Sequence, residues 1–342
     1  MPQTRSRLFR SAAAAVAVAA MATGLAACGS DSVSDAGSSA AGAGAKGKVV
    51  IGALSNGAAR ETTLTVPEVA AIRAGLPKDL VKRGELTIGL GLLPSGSPPL
   101  GYTGNDQKTL TGSEPDLGRL VAAVFGLKPV LANATWDNLF VGIDSGKSDV
   151  GFSNITDTEE RKQKYDFACY RQDNLGFEVV KDSTWNFDGT YRSLAGKTVA
   201  VGAGTNQERI LLHWRDQLKA AGKKLTVKYF QESNSTYLAL ASGRIDAYFA
   251  PNPSVAYHTV QTAKTPKATR SAGTYSGAGA TLQGLICATT KKDSGLAKPL
   301  SEAINYLIKN GQYNKWLDAW HLDNEAVPTS KVNPPGLPKT DS

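Results

Sequence analysis

Cysteine is scarce in this 342-residue chain: Cys28, Cys169 and Cys287 are the full set, and none has a second cysteine or a histidine at ligand spacing. His213, His258 and His321 are as scattered, so no pattern of a metal centre is present and none is expected. A run of eighteen or more uninterrupted apolar residues is also missing, which excludes a lasting membrane-spanning helix. Lys and Arg total 38 against 30 Asp and Glu, a formal charge of +8, yet Arg5, Arg7 and Arg10 crowd the N-terminus. The remaining basic residues form no stripe with interleaved aromatics, so nucleic acid is excluded as a partner. The stretch GIDSGKS has three residues, not four, between Gly142 and Gly146 and lies at a helix end, which rules out a phosphate loop. No motif pairs a nucleophile with a base, so nothing in the pattern calls for catalysis.

What is present begins with an address. The basic residues Arg5, Arg7 and Arg10 precede a short run of small and apolar residues ending at Gly24, the order of an export leader. Leu25-Ala26-Ala27-Cys28 resembles the bacterial lipobox, which makes residues 1–27 a lipoprotein signal peptide and Cys28 the lipid-attachment residue. Residues 28–48 hold the lipidated cysteine and a Gly/Ser/Ala tether that cannot bury a core. Two acyl chains suffice for stable anchoring. The expected location is therefore extracytoplasmic, on the outer face of the cell membrane of a Gram-positive bacterium. With Cys28 committed to lipid, Cys169 and Cys287 are left as an even pair outside the cytoplasm, to be read as a disulfide or as two buried thiols.

The rest of the chain alternates strand and helix patterns. GELTIGLGL, KPVLANA and SDVGFSNI read as strands; DLGRLVAAVF has helical apolar spacing; TWDNLFVGIDSG reads as a short helix closed by Gly146. A long crossing segment, YDFACYRQDNLGFEVVKD, leads to a second unit of the same grammar, GKTVAVGAGTNQERILLHWRDQLKAAG through PSVAYHTVQT, and ATLQGLICATTKK returns as a second extended crossing. The fold class is α/β, two doubly wound lobes joined by a double-strand hinge. Residues 49–83 form an N-terminal extension with a lead-in helix, 84–177 and 284–326 the first lobe, 178–283 the second, and 327–342 a Pro-rich tail.

The order of motifs resembles the polar-amino-acid family of extracytoplasmic solute-binding proteins, the receptors of ABC importers. GELTIG, GSEPDLGRLV, TWDNLFVGIDSGKSDV, SNITDTEERKQKYDF, LAGKTVAVGAGTNQE, ASGRIDAYFA and KNGQYNKWLDAW follow the family order from about Gly84 to Leu322. The resemblance implies a periplasmic-binding-protein fold of type II that is monomeric, needs no cofactor and delivers its ligand to a membrane permease energised by a separate ATPase chain. It places Ser153, Asn154 and Thr156 in the cleft, and Arg161 as a bidentate clamp on a ligand carboxylate. Gly204, Thr205 and Asn206, at a helix N-terminus, face the same anion. Trp136 forms the wall against the ligand's side chain.

The match departs where the ligand's ammonium is usually met. After the GRIDA strand the chain reads FAPNPS, with Pro251 in place of an expected carboxylate, and Ser97 stands where an aromatic is common. An unpaired buried ammonium costs on the order of 3–5 kcal/mol. Glu114 and Glu178 are the substitute acids, with Asn252 as an acceptor and Tyr102 or Trp136 as a cation–π face. Asp116, Asp149 and Asp246 read as structural. The ligand class is a small polar amino acid or amino-acid-like carboxylate. Two other roles fit the same fold: a dehydratase-like enzyme using Glu114 or Glu178 as general acid, and a ligand-sensing lipoprotein.

Overall fold

The computed structural model describes residues 47–230 and 232–339. The leader, Cys28 and most of the tether lie outside the described residues. Among the described residues no helix is long and apolar enough to cross a membrane.

A hairpin of β1 (Lys48–Ile51) and β2 (Thr62–Thr65) opens the fold, with Val49, Ile51 and Leu64 buried. It docks through Ala53, Ser55 and Gly52: Thr111 Oγ1 donates to the Ala53 carbonyl at 2.6 Å, the Tyr102 hydroxyl to the Ser55 carbonyl at 2.6 Å, and Gly52 N–H to Asp116 at 2.7 Å. Tyr102 is therefore sealed into the first lobe and is not a cation–π face of the cleft. The expected single lead-in helix is two short ones, α1 (Ala70–Arg73) and α2 (Lys78–Arg83), because Pro77 cannot continue a helix from Leu76 and instead precedes α2.

The first lobe contains β3 (Glu85–Leu93), the small pair β4 (Tyr102–Thr103) and β5 (Leu110–Thr111), α3 (Ser113–Phe125), β6 (Lys128–Thr135), α4 (Trp136–Asp144) and β7 (Val150–Gly151). In α3, Leu117, Leu120, Val121, Val124 and Phe125 recur at helical spacing and are all fully buried, and left-handed Gly126 ends the helix. The strand expected over SDVGFSNI stops at Gly151, leaving Phe152 to Glu160 as a loop before a short 3₁₀ turn, Arg161–Gln163.

Then comes β8 (Tyr165–Val180), one strand through both lobes. The second lobe adds β9 (Thr198–Ala200), α5 (Asn206–Ala220), β10 (Thr226–Lys228), α6 (Ser233–Ala241), β11 (Ala247–Pro251), α7 (Asn252–Thr262) and β12 (Thr269–Ser276). The chain returns through β13 (Gly284–Lys291) to α8 (Ala297–Lys309) and α9 (Gln312–Ala319), split at left-handed Gly311. Up to Asp173, β8 pairs with β13; from Asn174 onward it pairs with β12, and from Leu175 also with β11. The exchange of partners falls ahead of the 177/178 boundary expected from sequence. The sheet of the first lobe runs β8-β13-β7-β3-β6 and that of the second β12-β8-β11-β9-β10, with parallel pairs β3/β6, β3/β7, β9/β10 and β9/β11. β8 is one hinge strand, and the passage from β12 to β13 is the other.

Each lobe has its own core. Apolar residues of α3, α8 and α9, including fully buried Trp316, and fully buried Trp320 just after α9 fill the first; Phe177, stacked on Phe249 at 4.3 Å, with Phe187 and Trp214, fills the second. A smaller cluster under α4 holds Leu139, Ile143 and Phe167, and within it Cys169 and Cys287 face each other across β8 and β13 and are joined as a disulfide. These sulfurs and Asp157 lie close together, but sulfurs in a disulfide are not thiolate ligands, so the group does not make a metal site.

Candidate functional site

The lobes meet around two cavities that share the Trp136 side chain as a wall. Thr135 caps α4, accepting from Asn138 N–H at 3.4 Å, and so sets Trp136 at the first helical position, against the end of β3. Its indole N–H reaches across to the carbonyl of Gly204 in the second lobe at 3.1 Å. Gly204 adopts φ +71°, and a β-carbon there would lie 3.3 Å from Trp136 and from Asp137, so only glycine brings this loop against the indole without strain.

The central cavity, of about 370 Å³, is walled by Leu92, Leu93, Pro94, Trp136, Tyr229, Phe230, Tyr248 and Pro251, with Ser153, Asn154 and Glu114 at its polar end. Ser153 is buried and its hydroxyl accepts from Gly91 N–H at 2.9 Å. Asn154 sits at φ +53°, donating its N–H to Glu114 at 2.8 Å while its side-chain oxygen accepts from Arg171 at 2.5 Å.

Glu114 requires a correction. Its carboxylate is 1 % exposed and already accepts from Arg171 at 3.0 Å, from the Tyr170 hydroxyl and from Asn154 N–H, so it is not a free counter-charge for a ligand. Arg171 also pairs with fully buried Glu325. Burial pulls the Arg171 guanidinium down, but Glu325 and Glu114 more than offset it, holding the guanidinium above its ordinary value and firmly charged. Glu178 is likewise displaced from its expected role: it is fully buried in the second lobe, paired with His258, whose ring stacks on Tyr237 at 3.5 Å. Asn252 begins α7 with its side chain against Gly176, outside the cavity lining.

Thr156 is also committed elsewhere. Its hydroxyl donates to Asp173 at 2.7 Å, and Asn206 Nδ2 donates to the same carboxylate oxygen at 3.0 Å from the other lobe. Burial raises the Asp173 carboxyl, against the hydrogen bond from Thr156 and the charge of Arg171.

Arg161 lies on the far side of Trp136, in the second cavity of about 580 Å³, with Phe140, Lys164, Tyr165 and Arg209. Its guanidinium donates to the Thr156 carbonyl at 3.0 Å and to the Gly204 carbonyl at 3.2 Å, and sits 5.5 Å over Trp136 and 5.2 Å over Phe140. Among the described residues no carboxylate forms an ion pair with it. Burial pulls it down to about 10, against the raising charges of Asp173 and Glu160, so it stays cationic at neutral pH.

Thr205 caps α5, accepting from Glu208 N–H at 3.2 Å, and Glu208 in return accepts from Gly204 N–H at 2.6 Å. One donor of the expected anion cradle is thereby used internally. Thr205 and Asn206 border both cavities, so the structure brings together Trp136, Ser153, Asn154, Thr205, Asn206 and, across the indole, Arg161. Thr156 and Glu114 support these residues from behind.

Sequence reasoning missed Asp137, Tyr229, Phe230 and Tyr248. Asp137 lies in the first turn of α4, exposed and bordering both cavities, where it reads as a dipole-favoured surface acid. The three aromatics sit at or just beyond the ends of β10 and in β11, and only the parallel order β10-β9-β11 gathers them. Strand-end position was the available signal.

Comparison with known proteins agrees with this geometry. Residues 91–323 match the model of bacterial extracellular solute-binding proteins, family 3. The chain is 28 % identical over 246 residues to the L-cystine-binding protein TcyJ of Escherichia coli K12, covering 72 % of this chain and 86 % of that protein. It is 27 % identical over 271 residues to the arginine-binding protein ArgT of Corynebacterium glutamicum, 78 % of this chain and 83 % of that one. A crystal structure of a variant of ArgBP from T. maritima superposes with a TM-score of 0.59 at 26 % identity, over 71 % of this chain and 97 % of that one.

Proposed function

This chain belongs to the bacterial extracellular solute-binding proteins, family 3, and from that membership we propose that it is the amino-acid receptor of an ABC importer. It works by capture and not by chemistry. Solute enters between the lobes, closure buries it, and the closed form is what a permease recognises. The observation that carries this reading is Arg161, whose guanidinium lies against the touching Trp136 and Phe140 rings at the lobe interface and, among the described residues, donates only to carbonyl oxygens. An incoming carboxylate replaces the Gly204 carbonyl as its partner, and a fork-to-fork pair is stronger than the bond it displaces.

The ligand's side chain then packs in the central cavity against Trp136, Tyr229 and Tyr248, a volume within the range of small-molecule sites. Of the acids bordering that cavity, Glu114 is neutralised by Arg171, so exposed Asp137 is the acid left for an ammonium. A dehydratase-like role is disfavoured for the same reason, since Glu114 and Glu178 are committed to a cation and to a histidine respectively. Anchoring through Cys28 and a monomeric state belong to the same proposal.

The test is thermal unfolding of the chain from Lys46 onward against L-arginine, L-cystine, L-histidine, L-glutamate and their N-acetyl derivatives. A ligand present at about 100 times its dissociation constant adds about 2.7 kcal/mol of stability. In Arg161→Ala the affinity for that ligand falls by about 2–5 kcal/mol, since the substitution strands a desolvated carboxylate. Equal affinity in the variant refutes the clamp, and no shift with any compound refutes the amino-acid reading.

A further inference from the structure

The Pro-rich tail does not trail away from the fold. It is anchored first on α8, where Asn305 accepts from Ser330 N–H at 2.8 Å and Ser301 donates to the Ser330 carbonyl at 3.1 Å. It then runs along the open edge of β8: Cys169 N–H donates to the Lys331 carbonyl at 3.1 Å, Val332 bridges to Ala168, and Asn333 N–H donates to the Phe167 carbonyl at 3.0 Å.

From there it crosses the turn that carries Arg161. Leu337 N–H donates to the Asp157 carbonyl at 3.0 Å and Glu159 N–H to the Leu337 carbonyl at 3.0 Å, one residue bracketing the turn from both sides. Gly336 N–H donates to the Glu159 carboxylate at 2.9 Å, and Lys162 to the Pro334 carbonyl. A β-carbon on Gly336 would lie 2.5 Å from the Asp157 carbonyl oxygen, which makes glycine obligatory for this approach. The tail then reaches the other lobe: the Leu337 side chain is fully buried in the second lobe's apolar cluster, and Arg209 of α5, which lines the Arg161 cavity, donates to the Pro338 carbonyl.

We propose that residues 331–338 are part of the binding machinery: they hold the Arg161 turn in place and tie it across the cleft to α5, with Gly336 and Leu337 as the positioning residues. The tail is thus a third connection between the lobes, beside the two hinge passages, and it is non-covalent at its far end. Its contacts on the second lobe must break for the lobes to part, so its strength sets how far and how often they do. This rests on the solute-receptor reading only for what Arg161 receives.

The test uses ligand-free protein, so that its failure is separate from failure of the amino-acid panel. Spin labels on Lys82→Cys and Lys219→Cys, exposed positions on α2 and α5, report the interlobe distance, and hydrogen exchange reports the turn. In Leu337→Ser, and in a chain stopped after Ser330, amides of residues 157–163 exchange about tenfold faster or more and interlobe distances broaden, with α3 unaffected. Leu337→Met restores both. Arg209→Met, which removes the donor to the Pro338 carbonyl together with the ion pair to Glu160, also broadens the distances. Exchange raised uniformly through the chain, unchanged exchange at 157–163, or a wild type already as broad as the variants overturns the proposal.

Discussion

Replacing Arg171 with methionine isolates the largest electrostatic commitment beneath the central cavity. Arg171 is 1 % exposed and holds Glu114, also 1 % exposed, and Glu325, fully buried. Removing the one cation leaves two buried carboxylates facing each other, together with a side-chain oxygen of Asn154 that loses its donor. Breaking a buried pair from one side costs about 3–5 kcal/mol. At about 2 °C per kcal/mol for a protein of this size, the melting temperature drops by roughly 6–10 °C.

The pH dependence makes the test specific. Burial raises the Glu325 carboxyl in the folded state, and Arg171 opposes that rise. A carboxyl raised on folding favours the native state while protonated and ceases to do so as pH climbs through the raised value. Without Arg171 the deficit is therefore deepest near pH 8 and shrinks toward pH 5. Thermal and urea unfolding followed by tryptophan fluorescence at both pH values measures it, with the triple variant R171M/E114Q/E325Q as control, which recovers most of the loss. A variant that loses less than about 1 kcal/mol, equally at both pH values, refutes the argument that these charges hold one another.

Two further outcomes follow from groups near the Arg161 turn. Burial pushes the Asp157 carboxyl up to about 7, with Lys162 pulling the other way and Glu159 adding to the rise, so its contribution is full below the ordinary carboxyl range and is lost as pH rises through 7. Wild-type stability should thus fall between pH 5.5 and 8.5 more steeply than that of Asp157→Asn, and parallel profiles by thermal unfolding would exclude this. Replacing Cys169 and Cys287 together by serine opens a bridge of sequence separation 118 and is expected to cost about 4–5 kcal/mol by loop entropy, read by urea unfolding against the oxidised parent; a loss under 1 kcal/mol would show that strand pairing already supplies the constraint.

Much of the architecture was legible because local and global signals agree. The buried face of α3 follows helical spacing, GELTIGLGL becomes β3, and Gly126 and Gly311 stop helices where left-handed backbone is required. Asp116, Asp149 and Asp246 serve structure as read, accepting from the backbone of Gly52, Thr87 and Thr198. β12 escaped because TRSAGTYS carries weak apolar alternation; it is a strand because β8 offers it an edge. The docking of the Pro-rich tail was not readable for a related reason: its partners are backbone and side-chain groups of β8 and the Arg161 turn, far away in sequence. At the site, residue type was readable but direction was not. Glu114, Thr156 and Glu178 have the chemistry of ligand contacts, and only the fold, which puts Arg171 beside Glu114, Asp173 beside Thr156 and His258 beside Glu178, shows where they point.

The register of β8 bears on how closure is controlled. Asp173 is the last residue of β8 to pair with β13, so its carboxylate stands where the strand passes from one lobe to the other. One of its oxygens accepts from Thr156 in the first lobe and from Asn206 in the second, and Asn206 also donates to the Gly277 carbonyl in the other hinge passage at 3.0 Å. Parting the lobes moves α5 away from this carboxylate, so the Asn206 bonds must rearrange while the Thr156 bond can persist. A buried carboxylate losing one of two donors is costly, which opposes that parting unless water enters to replace the amide. Thr156 and Asn206, both expected to hold ligand directly, are here donors to the carboxylate at the point where β8 passes between the lobes.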